Sequence, residues 1–251
     1  MKPLQDRVAF VTGASAGIGA ATARALSAAG ARVVLAARRK ERLDALAAEL
    51  EGASAVQLDV TDHEAVARAL EPFDVDLLVA GAGLALGTEP LQAGNPADWS
   101  HVVDVNVKGV LYAVRAALPR MIERGRGDVV FLGSVAGRQV YPGGAVYNAT
   151  KYALQGLYQA LRLDAAGTGV RLTTVDPAMV ETDFSLVRFR GDVQRARAVY
   201  RGMTPLSPAD VADAVVWAVT RPPHVNVGEI VLWPTDQAST TVVRRDTERV
   251  D

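Results

Sequence analysis

Short apolar runs recur along the chain, each followed by a longer stretch with apolar residues at helical spacing. Val8–Val11 is flanked by charge and then by Thr12-Gly13, and reads as a buried parallel strand. Similar runs occupy Arg32–Ala37, Ala53–Leu58, Val75–Ala80, Val129–Leu132, Val170–Val175 and Gly228–Trp233. Between them lie helical patterns: an alanine-rich one ended by Gly30, one from Lys40 to about Glu51, and one opening near Thr61 or Asp62. The pattern from Pro96 to Arg124 is long enough for two consecutive helices, and others cover 145–166 and the stretch opened by Ser207-Pro208, with Ser207 as N-cap. Strand and helix alternate throughout. The expectation is an α/β Rossmann fold, a doubly wound parallel sheet of about seven strands with helices on both faces. Residues 1–251 are expected to form one domain, with an insertion around 182–206 that has weak strand or bundle character.

Composition narrows the class. Hydrophobic residues make up 49% and charged residues 22%, the balance of a globular protein. A net charge of −1 predicts no general attraction to nucleic acid or to an anionic membrane. With no cysteine, disulfides, thiolate metal sites and a cysteine nucleophile are excluded. His63, His101 and His224 are isolated, so no metal site is expected. The N-terminus lacks a signal-peptide layout, and the longest apolar stretch, Val75 to Gly87, is interrupted by glycines and too short to span a bilayer. A cytoplasmic location is the default expectation.

Chemistry concentrates where strands end. Gly13-Ala14-Ser15-Ala16-Gly17-Ile18-Gly19 lies between the first strand and first helix, where glycines let backbone approach a pyrophosphate and the helix dipole favours its charge. The alternative is an ordinary tight turn. The acid that would bind a ribose 2′-hydroxyl after the second strand is absent, and Arg38 and Arg39 stand at that place. A guanidinium there suits a 2′-phosphate, hence NADP(H) rather than NAD. Asp59, before Val60 at the third strand's end, could hydrogen-bond an adenine or begin a cap. Ala80-Gly81-Ala82-Gly83 carries no reactive group and would serve by close backbone approach. Asn106 is an amide among apolar residues, either back-bonded to its helix or given a task.

The stretch Gly133–Lys151 holds Ser134, a loop broken by glycine and proline, and then Tyr147 and Lys151 four positions apart. Positions i and i+4 share a helix face, so phenol and ammonium can enter one pocket. A cation beside a phenol lowers a pKa that is about 10 when unperturbed, which makes an acid/base for a proton on oxygen. A surface Tyr-Lys pair is the plain alternative.

Together these residues resemble the short-chain dehydrogenase/reductase family over essentially the whole chain. The matching motifs are TGASAGIG (Thr12–Gly19), Leu58-Asp59-Val60, Asn106, Ser134, Tyr147-x-x-x-Lys151 and Pro177–Thr182. The tail GEIVLWPTDQ resembles the NADP-dependent branch of serine 3-dehydrogenase-like and clavulanate-type aldehyde reductases. The resemblance implies carbonyl–alcohol interconversion with nicotinamide. Tyr147 would be the acid/base, Ser134 would hold the carbonyl oxygen, and Lys151 would lower the tyrosine pKa and hold a ribose. Asn106 would position a water leading to Lys151. Val180 and Thr182, after Pro177, would contact the carboxamide and diphosphate. Two departures stand out: Ala80-Gly81-Ala82-Gly83 replaces Asn-Asn-Ala-Gly, and Ala178 replaces the glycine after Pro177. A 3-oxoacyl-carrier-protein reductase is an alternative, with Arg188, Arg190, Arg195, Arg197 and Arg201 as a basic patch or a solvated face. A non-catalytic NADP-binding sensor is another, though its Ser/Tyr/Lys set would be expected to be damaged. Tyr141, Met179, Phe184 and Phe189 suggest a partly hydrophobic small-molecule substrate. The apolar stripes of 107–124 and 145–166, with the family's habit, predict a homo-oligomer, tetramer or dimer.

Overall fold

A computed structural model describes residues 2–246. Seven parallel strands form one sheet in the order β3-β2-β1-β4-β5-β6-β7. They are β1 (Val8–Thr12), β2 (Arg32–Ala37), β3 (Ser54–Gln57), β4 (Leu77–Ala80), β5 (Gly127–Leu132), β6 (Val170–Pro177) and β7 (Glu229–Leu232). The helices are α1 (Gly17–Ala28), α2 (Lys40–Glu49), α3 (His63–Leu70), α4 (Pro96–Val103), α5 (Gly109–Glu123), α6 (Ala145–Asp164), α7 (Phe184–Arg188), α8 (Val193–Ala198) and α9 (Pro208–Val219). Among the described residues none of these is long and apolar enough to cross a membrane.

The continuous apolar runs are explained by burial on both sheet faces. In β1, Val8 and Phe10 point into one core cluster, while Ala9 and Val11 point into the other. The first cluster is closed by α3, α4, α5 and α6 through residues such as Val66, Val102, Val114, Leu154 and Tyr158. The second is closed by α1, α2 and α9 through Leu26, Leu43, Val211 and Val215. Each fully buried Val, Leu or Phe contributes about 1.5–3 kcal/mol of transfer free energy, so two layers hold the sheet between them.

The two edges of the sheet differ. At the strands' N-terminal edge Asp128 is shared by Arg7 and Arg171, with Arg171 Nε at 2.7 Å. Asp76 adds a bond from the backbone N–H of Val8 at 3.0 Å. At the C-terminal edge Thr12, Ala37, Ala80, Leu132 and Pro177 end their strands, and β1 and β4 diverge in chain order. Ligands bind outside this edge, at such a switch point.

Local differences from the sequence expectation have clear causes. The pattern over Pro96–Arg124 is one rod with a π-turn at Asp104–Lys108 between α4 and α5. The 182–206 stretch forms two short helices, α7 and α8; Asp192 caps α8 by accepting from the N–H of Arg195 at 3.0 Å. Ser207 makes the expected cap as a full capping box with Asp210. Among the described residues no cluster of three or more His, Asp or Glu could hold a metal ion.

Candidate active site

A cleft of about 660 Å³ opens at the sheet's C-terminal edge. Its floor is built by glycine. Gly13 (φ +74°) and Gly17 (φ +53°) take left-handed conformations that L side chains rarely adopt. A Cβ on Gly19 would lie 2.4 Å from the Gly13 carbonyl oxygen, and one on Gly13 would lie 2.7 Å from that of Gly81. The turns after β1 and β4 therefore touch backbone to backbone. Thr12 Oγ1 fixes them by accepting from the N–H groups of Gly81 (3.0 Å) and Ala82 (3.2 Å). Ala16, the N-cap of α1, offers no side-chain acceptor, and the first turn carries no acid. The leading N–H groups of the helix are left for an anion.

At the cleft's rim stand Arg38 and Arg39, beyond β2. Arg39 donates from Nε (3.1 Å) and Nη2 (2.9 Å) to Ser15 Oγ, which holds the guanidinium against the glycine turn. Burial and the neighbouring Arg42 lower its pKa, against the attraction of Asp183. A cradle that a Cβ would fill, an uncapped helix start and two rim cations fit a dinucleotide carrying an extra phosphate. Asp59 is already engaged, accepting from the N–H (3.0 Å) and Oγ1 (2.8 Å) of Thr61. Burial alone would raise its pKa, but these bonds bring it below the usual value. The helix that follows is capped instead by Asp62.

Across the cleft, α6 carries Tyr147 and Lys151, and Ser134 follows β5. Ser134 Oγ accepts from the Ala136 N–H at 3.1 Å and donates to the Pro177 carbonyl at 3.4 Å. Lys151 is buried, donates from Nζ to the Leu132 carbonyl at 2.8 Å, and lies 5.7 Å from the Tyr147 ring centroid. Burial lowers its pKa to about 8, opposed by Asp176. Tyr147 departs from expectation: its pKa is raised, not lowered. Burial is the largest cause, and the opposing influences are the Arg188 cation and the Ser134 hydroxyl. Burial outweighs both, so the neutral phenol is favoured.

Most residues expected at the site line this cleft: Gly13, Ser15, Ala16, Gly17, Ile18, Gly19, Arg38, Arg39, Asp59, Val60, Gly81, Ala82, Ser134, Tyr147, Lys151, Pro177, Val180 and Thr182. Two lie behind its wall. Ala80 ends β4 inside the core. Asn106 sits in the π-turn, 1% exposed, and its bonds run elsewhere than Lys151. Its Oδ1 accepts from the Leu84 N–H (2.9 Å), and its Nδ2 donates to the Leu84 carbonyl (2.8 Å) and Thr150 Oγ1 (3.1 Å). Gly83 fills the gap between them: a Cβ there would meet Asn106 Oδ1 at 3.4 Å and Lys151 Nζ at 3.8 Å.

Sequence reasoning missed Arg188 as a site residue. It leaves the expected basic face and turns inward, its guanidinium carbon 5.1 Å from the Tyr147 ring centroid and its Nη2 donating to Tyr141 OH at 2.7 Å. Phe184 packs on Tyr147 at 5.4 Å between ring centroids. A cation within a few residues of aromatic positions is too common a pattern to have signalled this.

Strand order 3-2-1-4-5-6-7 and a glycine-floored cleft at the switch point define a Rossmann-type dinucleotide fold. The chain belongs to the short-chain dehydrogenase family and is an oxidoreductase: the family model described as "short chain dehydrogenase" matches residues 7–190. An uncharacterised oxidoreductase of Mycobacterium tuberculosis is 50% identical over 247 residues, covering 98% of this chain and 97% of the relative. An NADP-dependent 3-hydroxy acid dehydrogenase of Salmonella typhimurium is 42% identical over 238 residues, 92% of this chain and 96% of the relative. Among solved structures, the closed form of a serine dehydrogenase complexed with NADP+ superposes with a TM-score of 0.91 at 40% identity. That superposition covers 95% of this chain and all of the other, 100%.

Proposed function

We propose that this enzyme interconverts a carbonyl and an alcohol with NADP(H). The observation that carries the reading is that Ser134, Tyr147 and Lys151 open on the same cleft as the glycine cradle. Gly13, Gly17, Gly19 and the first turn of α1 would hold the pyrophosphate, with Thr182 against Gly17. Arg38 and Arg39 would hold the 2′-phosphate, and Asp59, Val60 and Ala82 would border the adenosine. Pro177 and Val180 would flank the nicotinamide, and Lys151 would hold its ribose. When bound, the nicotinamide supplies or accepts a hydride.

The protein's own part is to orient a carbonyl and manage one proton. Tyr147, a phenol whose pKa burial raises further, donates its phenolic proton to the carbonyl oxygen in reduction. Ser134 Oγ donates a hydrogen bond to the same oxygen as charge develops there. In oxidation Tyr147 must act as the phenolate to accept the alcohol's proton, and Arg188 and Ser134 are the groups that favour that ionised form. Lys151, with a pKa near 8, is a proton reservoir close to neutrality. Asn106 would act at one remove, fixing the Leu84 backbone and, with Gly83, the space beside Lys151. Residues 182–206, with Phe184 and Arg188 on the cleft, would shape the substrate side. Of the arginines of 188–201, Arg188 turns inward, Arg190 pairs with Asp98 and Arg195 packs on Phe189, while Arg197 and Arg201 are exposed.

The test is Tyr147→Phe. NADPH oxidation followed at 340 nm against a panel of ketones and aldehydes should fall at least about 1,000-fold, with NADPH affinity within a few-fold of wild type. Turnover surviving in this variant refutes the mechanism.

A further inference from the structure

Asp176 is a fully buried carboxylate that no step above uses. It lies near the end of β6, one residue before Pro177, and its two oxygens have different tasks. Oδ2 accepts from Gln155 Nε2 at 2.7 Å and from Arg138 Nε at 2.8 Å. Oδ1 accepts from Thr174 Oγ1 at 2.7 Å and lies against Gly133, where a Cβ would overlap it. Arg138 pairs onward with Glu229 on β7, which is partly exposed. The charges therefore alternate from the surface inward: Glu229, Arg138, Asp176. They leave one negative charge uncompensated, and a charge taken out of water calls for a partner at the inner end of the series.

That partner is Lys151. Its Nζ donates to the Leu132 carbonyl at 2.8 Å, while Asp176 Oδ1 touches Gly133, the next residue. The Leu132–Gly133 peptide is thus the spacer between ammonium and carboxylate. Helix α6 makes a second link: Tyr147, Lys151 and Gln155 stand at i, i+4 and i+8 on one face, and Gln155 reaches Asp176. Among the described residues, the titratable groups facing Lys151 are Tyr147 on its own helix and Asp176 from β6. The loop after β4 presents only Gly83, with the neutral Asn106 behind it. In an interior that screens charge poorly, a buried ammonium depends strongly on a lone counter-charge, and Asp176 is the group that opposes the effect of burial there. We propose that Asp176 is a positioning residue for the active-site lysine: clamped by Arg138 and Gln155, its carboxylate keeps the Lys151 ammonium protonated and seated on the Leu132 carbonyl near neutral pH. The use of that ammonium as a proton reservoir rests on the carbonyl–alcohol reading; its charge state does not.

The chain has four lysines, Lys2, Lys40, Lys108 and Lys151, so NMR of ε-13C-labelled lysine can follow each, with Lys151→Met assigning the signal that matters. In wild type the Lys151 signal should titrate near pH 8. Asp176→Asn keeps the shape and loses the charge; it should lower that midpoint by about one pH unit and leave the other three signals in place. In NADPH-driven reduction, kcat/KM should fall as pH rises through the lysine midpoint, and in Asp176→Asn this alkaline limb should move down by about the same unit, with NADPH affinity within a few-fold of wild type. A carboxylate with a merely structural role would lower the melting temperature and leave midpoint and limb where they were, and that result overturns the proposal. If Asp176→Asn does not fold, Arg138→Gln is read instead. The carboxylate then faces Lys151 without its competing cation, so the midpoint should rise; an unchanged or lower one overturns the proposal. A midpoint that moves as expected in a protein that reduces no carbonyl leaves the coupling standing and sinks the carbonyl–alcohol reading. Carbonyl reduction with an unmoved midpoint does the reverse.

Discussion

Replacing Asn106 by alanine should separate a positioning role from a chemical one. The amide makes three bonds, to the N–H and C=O of Leu84 and to Thr150 Oγ1. Thr150 keeps its own bond to the Tyr147 carbonyl at 2.8 Å, so its loss is small. Leu84 is buried, and both its backbone groups would be orphaned. Each orphan costs about 1–3 kcal/mol, so the variant should lose about 2–6 kcal/mol, less if a water enters the vacated space. At about 2–4 °C per kcal/mol for a chain of this size, the melting temperature should fall by roughly 5–20 °C. Thermal unfolding followed by circular dichroism measures the fall directly, and urea titration gives its free energy. Because Gly83 and Leu84 border Lys151, kcat should drop together with stability. A stability loss below about 1 kcal/mol would refute the argument, since two buried orphans cannot be that cheap. So would full stability with lost turnover, which would make Asn106 a direct participant instead.

Further outcomes follow from the same geometry. Lys151 binds its proton less tightly when folded, with a pKa lowered from 10.5 to about 8. Between those values the unfolded chain holds a proton that the folded chain has released, so stability rises with pH across the window and levels above it. At pH 7 the lowered pKa thus costs about 3 kcal/mol, and the Leu132 bond returns about 1 kcal/mol. Lys151→Met should then be about 1–2 kcal/mol more stable than wild type at pH 7 by urea unfolding, the gap closing towards pH 10.5, while turnover is lost; a less stable variant refutes this. Replacing Arg38 and Arg39 together by alanine should weaken NADPH binding about 10- to 100-fold by fluorescence titration and leave NADH nearly unchanged; equal losses would refute a 2′-phosphate site. Gly19→Ala, whose Cβ would meet the Gly13 carbonyl oxygen at 2.4 Å, should destabilise by about 1–3 kcal/mol. Gly156→Ala on α6 meets nothing within 4 Å and should stabilise by about 0.5–1 kcal/mol in the same urea assay.

What could be read from the sequence follows the range of the physics involved. The strands were legible because a parallel sheet covered on both faces leaves continuous apolar runs, as at Val8–Val11, and strand ends were marked by glycine. The rule that ligands gather at the strands' carboxyl edge then joined Gly13, Asp59, Ser134 and Pro177 without any contact being known. Asn106 was visible as an amide out of place, but its partner was not: the π-turn that carries it leaves no periodic mark, and Leu84 is distant in sequence. For Tyr147 the i, i+4 spacing predicted the right neighbour and the wrong pKa direction. Spacing fixes the shared helix face, whereas the pKa depends on burial depth and on which charges and hydroxyls face the phenol, here Arg188 and Ser134. Arg188 lay furthest from reach. It belongs to a five-residue helix inside an arginine-rich segment, where charge pattern argues for solvent, and only packing against three rings turns it inward. The edge rule locates groups that hang from strand ends, which serve any substrate of the reaction. The group that would choose among substrates hangs from a helix outside the sheet, so the fold's own logic could not announce it.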